Sequence, residues 1–240
     1  MADEAAPLLP SAQLVRDADR EVRSGFVRKV YGILFLQMAA SLLLAWPVRC
    51  LSEERIEAHN WILCAVVCLF LLSLLAMTGF EGALKRYPVN YAFLSMLTVW
   101  MGILIGVSTA MYTWQSVALA GGLTACMFLA MSAYAAVTRT DFTGAGEYVR
   151  VGVMCLMLFG ATISIMLFVG VRPDRSLMLY DFCGVLLFAF CVVYDTQLIM
   201  GGGAKLQLGI DDYCAASLTL YVDLANSFLH ILRLVGQRGG

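Results

Sequence analysis

The chain has 240 residues, of which 61% are hydrophobic and only 14% charged. Soluble domains carry about 25% charged residues. Here the apolar residues fall in long blocks, which excludes an ordinary water-soluble globule and predicts a polytopic membrane protein. A net charge of −1, from 16 basic and 17 acidic residues, gives no electrostatic footprint for nucleic acid.

Residues 1–27 are polar and read as a cytosolic tail. The chain opens Met1-Ala2-Asp3-Glu4, with acids instead of a basic region, so no cleavable signal is expected. Glu4-Ala5-Ala6-Pro7-Leu8-Leu9 fits a loose acidic dileucine sorting pattern, although an ordinary disordered tail is the commoner meaning of such a stretch.

Seven apolar blocks follow, near 30–48, 61–80, 90–110, 114–137, 150–171, 177–200 and 213–235. Each is long enough to cross about 30 Å of hydrocarbon as a helix. Pro47 is expected to close the first block, and Pro88 and Pro173 to lie in connections. One transmembrane domain over 28–235 is expected, with a short tail at 236–240. In the first block Gln37 and Ser41 are spaced to hydrogen-bond to neighbours. In the third, Gly102 and Gly106 allow close helix approach, and Gly121 and Gly122 give the fourth a thin spot. Trp46, Trp61 and Trp114 stand near block ends, as interface aromatics do.

With seven crossings, Arg16, Arg20, Arg23, Arg28, Lys29, Lys85, Arg86, Arg139, Arg150 and Lys205 fall on one side. Arg49, Arg55, Arg172, Arg175, Arg233 and Arg238 fall on the other. The side richer in Lys and Arg is expected to be cytosolic, which places the N-terminus there. Arg233 and Arg238 pull against a full final crossing, and re-entry of the last block is the alternative.

The last two blocks hold buried acids. Asp195 lies in Phe188–Met200 and Asp223 in Tyr213–Val235. A carboxylate within a membrane segment costs about 2.5–3.5 kcal/mol on insertion scales and normally faces protein or a wet cavity. In the seventh block Asp212, Ala216, Thr219, Asp223, Asn226, His230 and Arg233 are spaced to share one face. Asp211 and Asp212 stand at its cytosolic mouth, where acids concentrate cations. Asp181 is 14 residues before Asp195 on a similar face.

A hairpin of the last two blocks brings Asp195 toward Asp223. Two adjacent carboxylates share a proton at low pH and repel when both ionise. With Thr219, Asn226 and backbone carbonyls they would form a transient oxygen site for Ca²⁺. The residues alone leave open a static hydrogen-bonded pair, a gated cation leak and a proton-coupled transporter. Catalysis is not expected: intramembrane aspartyl proteases carry Gly-x-Gly-Asp at the second aspartate, and here Leu220-Tyr221-Val222 precedes Asp223. No cofactor is expected. Eight cysteines with two histidines suggest small apolar side chains rather than a metal centre.

The same residues carry a family resemblance. Tyr194-Asp195-Thr196-Gln197, then Asp211-Asp212-Tyr213, Ala216-Ser217-Leu218, Leu220-Tyr221-Val222-Asp223-Leu224, Asn226, Phe228-Leu229 and Ile231-Leu232-Arg233 resemble the C-terminal signature of the transmembrane Bax inhibitor motif (TMBIM, or Lifeguard) family. Phe26–Leu34 with Leu36-Gln37 resembles the start of its first span, and Thr140-Asp141-Phe142-Thr143 its loop after the fourth. Within the family the chain looks most like the Golgi anti-apoptotic protein (Lifeguard-four) branch, which has cellular and viral members.

The resemblance implies an all-α fold of seven transmembrane helices, six surrounding the last. It implies a pH-sensitive Ca²⁺ leak from intracellular stores that restrains apoptosis, with Asp195 and Asp223 as the pH-sensing and ion-conducting pair and Asp211 at the pore mouth. Golgi or endoplasmic reticulum is the implied location, and the dileucine pattern adds endosome or lysosome. Two departures stand out. Some relatives latch the first aspartate with an arginine of the second span; Leu84 falls at that position, with Lys85 and Arg86 beside it as the candidate latch. Met101 stands where related chains carry an acid. A non-conducting scaffold for cell-death or Ca²⁺-release membrane proteins and a Ca²⁺/H⁺ exchanger are the alternative functions.

Overall fold

A computed structural model describes residues 14–51, 69, 72–73, 88–171, 173–201 and 208–239. Its long helices are α1 (Arg20–Arg49), α2 (Val89–Ala110), α3 (Trp114–Val137), α4 (Gly146–Phe168), α5 (Asp174–Ile199) and α6 (Tyr213–Val235). All six are long and apolar enough to cross a membrane, and the protein is a multi-pass, all-helical membrane protein. The second expected block, 61–80, lies outside the described residues apart from Leu69, Leu72 and Ser73. Lys85, Arg86, Trp61 and the dileucine stretch lie outside them too.

Block positions agree with the helices, with one large difference at a boundary. α1 begins at Arg20, ten residues before the apolar block. Phe26 and Val30 continue the buried stripe of Leu34, Gln37 and Ser41 at helical spacing, so the charged residues between them ride on the outer face of the same helix. Pro47 sits inside α1, near its end. A proline there leaves the Leu43 carbonyl without its intrahelical N–H donor, which weakens the last turn of α1.

α1 and α2 pack in parallel. Gln37 Nε2 donates to Thr98 Oγ1 (3.3 Å). Gly102 lies against Ser41 and Leu44, and Gly106 against Ala45 and Val48. Arg49 reaches the carbonyls of Thr109 and Tyr112. Leu51 and Pro88 therefore stand at opposite ends of the bundle. We call the end holding the start of α1 the near end and the other the far end.

α6 is the most buried of the six helices. It packs on α1, α2, α3 and α5, while α4 packs on α5. Ser41 of α1 is hydrogen-bonded to Tyr221 of α6, whose side chain is fully buried. α4 receives α5 through glycines: Tyr180, Leu187 and Tyr194 rest on Gly160, Gly152 and Gly146. The α5 residues are seven apart, the spacing that keeps one seam facing a neighbouring helix. Gly121 and Gly122 face open space among the described residues, so the expected thin spot of α3 receives no neighbour there.

Candidate functional site

The face of α5 toward α6 carries Asp181, Gly184, Phe188 and Asp195. The first and last are 14 residues apart, about 21 Å along a helix. α6 runs antiparallel and presents Thr219 and Asp223 at one depth and His230 and Arg233 at another. The polar stripe read from the sequence therefore becomes two separate stations, because α5 supplies an acid at only two of its levels.

At the near station, Asp195 and Asp223 meet across the helix pair. Their carboxyl groups are within hydrogen-bonding reach, and Asp195 also reaches Thr219. The Thr219 hydroxyl alternatively donates to the Ala216 carbonyl of its own helix (3.1 Å). Asp223 is buried, and its Oδ2 has no hydrogen-bond partner among the described residues. Asp195 and Thr219 line a crevice of about 270 Å³ between α4, α5 and α6, edged by Arg150 and Leu208. That is room for several waters at about 30 Å³ each. The pair thus borders a water-sized crevice on the Asp195 side and buried protein on the Asp223 side.

Beyond the pair toward the far end, Phe188, Cys191 and Val192 of α5 are buried, as are Leu224 and Ser227 of α6. Ser227 Oγ is buried without a partner among the described residues. Asn226 is half-buried, and its amide nitrogen donates to the Val222 carbonyl (2.8 Å). Its nitrogen thus serves its own helix and not the aspartate pair.

At the far station, Asp181 Oδ1 is 2.8 Å from His230 Nδ1 and accepts from Arg233 Nε at 2.7 Å. Asp181 is 4% exposed and His230 3%. The ring of His230 lies against Gly184, where a Cβ would stand 2.5 Å from Nε2. Tyr180 meets it edge-on (5.1 Å) and Phe188 stacks on it (5.7 Å). The sequence placed His230 and Arg233 in support of the Asp195–Asp223 pair, but they bind Asp181 instead.

The mouth residues lie at the near end. Asp211 is exposed in the turn before α6, and Asp212 occupies the N-cap position, accepting from the Gly209 N–H (3.0 Å). Met101 is buried in the core. Among the described residues no three His, Cys, Asp or Glu side chains gather as a metal site.

Sequence reasoning passed over Gln197. Its Nε2 donates to the Thr140 carbonyl and its Oε1 accepts from the Phe142 N–H (2.9 and 2.8 Å). It ties the α3–α4 loop to α5 two residues beyond Asp195. In that loop Asp141 accepts from the hydroxyl and backbone N–H of Thr143, and these bonds hold its carboxyl below the usual range. Both segments were noted in the sequence, but only the fold joins them.

Comparison with known proteins adds a lineage to this geometry. Residues 23–240 match the family model described as Bax1-I, Inhibitor of apoptosis-promoting Bax1. The chain is 29% identical over 227 residues to human Protein lifeguard 3, covering 92% of this chain and 71% of that one. It is 27% identical over 225 residues to Bax inhibitor 1 of Schizosaccharomyces pombe, covering 93% and 80%.

Proposed function

The chain belongs to the Bax1-I family, and on that premise we propose that it is an anti-apoptotic protein of intracellular membranes that works as a pH-sensitive Ca²⁺ leak. The observation that carries this reading is the near station: two carboxylates facing each other across α5 and α6, one against a water-sized crevice and the other against buried protein.

While a proton is shared, the Asp195–Asp223 contact bridges the two helices. Loss of that proton leaves two like charges in a low-dielectric setting, where repulsion is strong. The helices then part or admit a cation, whose charge replaces the proton's. Asp211 and Asp212 collect cations at the near mouth. Thr219 offers an oxygen beside the pair, and Ca²⁺ is the permeant ion rather than a resident cofactor. A modest leak lowers store Ca²⁺ and blunts death signals that depend on its release. The near end is cytosolic in this reading, in Golgi or endoplasmic reticulum membrane. The family description, Inhibitor of apoptosis-promoting Bax1, and the relative named Bax inhibitor 1 support a cell-death role.

The test is Ca²⁺ flux into dye-loaded proteoliposomes across a pH series. Wild-type flux is expected to rise with pH as the shared proton leaves. Asp195→Asn and Asp223→Asn each retain an interhelical hydrogen bond but cannot build the two-charge state, so both flatten the pH dependence. Well-folded wild type with no flux above empty liposomes at any pH overturns the leak and favours a non-conducting scaffold.

A further inference from the structure

At the far end, two nitrogens crowd one oxygen of Asp181, and Arg233 Nη2 also lies 2.9 Å from His230 Nδ1, so the arginine ties the acid to the imidazole. His230 and Arg233 both converge on Oδ1, and Oδ2 has no hydrogen-bond partner among the described residues. Asp181 also lines an open vestibule of about 1210 Å³ between α4, α5 and the C-terminal segment, together with Asp174, Tyr180, Arg233 and Arg238. A carboxylate 4% exposed, beside a cavity and with one oxygen unused, is poised for a further positive ligand.

The three side chains differ in freedom. His230 is held by Gly184 beneath it, by Tyr180 and Phe188 around it, and by burial at 3%. Asp181 is fixed on α5. The Arg233 side chain is 38% exposed, lines the vestibule and sits in the last turn of α6. Arg233 is therefore the member freest to swing into the vestibule, giving up its contacts to Asp181 Oδ1, His230 Nδ1 and the Tyr180 ring.

We propose that Asp181 is a divalent-cation docking site at the far mouth of the α5–α6 path, and that Arg233 occupies it as a built-in competitor. The guanidinium is a permanent positive charge resting where the cation would bind. A cation arriving through the vestibule displaces Arg233 and gains both carboxylate oxygens. His230 stays in its cradle and keeps the carboxylate oriented. Asp181 then lies about 21 Å from Asp195, so the helix pair has an acidic stop at each end of its buried layer. This rests on the leak reading for its use in transport, but the site itself stands on geometry alone.

Binding is measured first, on the full chain in nanodiscs, with Mn²⁺ as the probe read by electron paramagnetic resonance. Arg233→Gln is expected to tighten Mn²⁺ binding at least several-fold over wild type. Arg233→Lys keeps the charge and is expected to stay near wild type. Asp181→Asn in the Arg233→Gln background is expected to remove the gained site. Equal Mn²⁺ binding by wild type and Arg233→Gln, both folded by thermal melt, overturns the proposal, as does a gain that survives Asp181→Asn. Flux is measured second: Arg233→Gln is expected to lower the far-side Ca²⁺ needed for half-maximal leak. Wild type without flux but with the Mn²⁺ pattern intact removes the leak and keeps the site. Flux with unchanged half-saturation in Arg233→Gln keeps the leak and removes the site's role in it.

Discussion

At Gly184 one hydrogen atom decides where a histidine can lie. A Cβ there would stand 2.5–2.6 Å from three ring atoms of His230, which Phe188 and Tyr180 prevent from retreating. Gly184→Ala is expected to destabilise the fold by about 1–3 kcal/mol, the usual cost of overpacking. It should also loosen the Asp181 contact, and a melt together with histidine NMR in detergent would read both effects. Asp141 is a surface example with a pH signature. Its folded carboxyl is held down by Thr143, so its contribution is present above the unfolded value of about 3.9 and is lost as pH falls through the lower folded value. The difference in melting temperature between wild type and Asp141→Asn should be steady at neutral pH and vanish in strong acid.

Helix α5 shows how one element serves two partners. Its residues 180, 187 and 194 enter glycine notches on α4, while 181, 188 and 195 face α6. The two seams are offset by one residue, about 100° around the helix, so each faces a different neighbour. The acids of α5 thus hold their depth only while the tyrosines stay seated. Gly160→Val or Gly146→Val should push Tyr180 or Tyr194 out, because a Cβ would stand 2.7 or 2.6 Å from the phenolic oxygen. The expected result is a lower melting temperature and, for Gly146→Val beside the near crevice, an altered pH dependence of flux. An unchanged melt for both would mean that α4 does not pack on α5 through these positions.

For the molecule as a whole, the central position of α6 sets the chemistry. A helix surrounded by protein on most sides can carry Asp223, Ser227 and His230 where a lipid-facing helix cannot. The parallel course of α1 and α2 has a direct test. Cys50 is exposed at the far end and Thr140 at the near end. In sealed vesicles of known orientation, an impermeant maleimide should label Cys50 from one face. With Cys50→Ser, Thr140→Cys should be labelled from the other face. Labelling of both from one face would overturn the arrangement.

Hydropathy alone determined the class of this protein and the position of each described crossing helix apart from the start of α1, because apolar length is a local property of the chain. Spacing alone placed Gly102 and Gly106 at a close helix contact and gathered the polar residues of the last helix on one stripe. The carboxylates Asp195 and Asp223 could be named from the cost of burying them. Only the tertiary structure decided which partners these groups have. It gave His230 and Arg233 to Asp181, bound Gln197 to the loop at Thr140, and left Gly121 and Gly122 facing open space among the described residues. The start of α1 was also decided there: the charges of 20–29 hide a helix from a hydropathy reading, while the buried stripe of Phe26 and Val30 builds one. Partnership depends on the depth and rotation of one helix against another, set by side chains far apart in the chain, and a single sequence states neither.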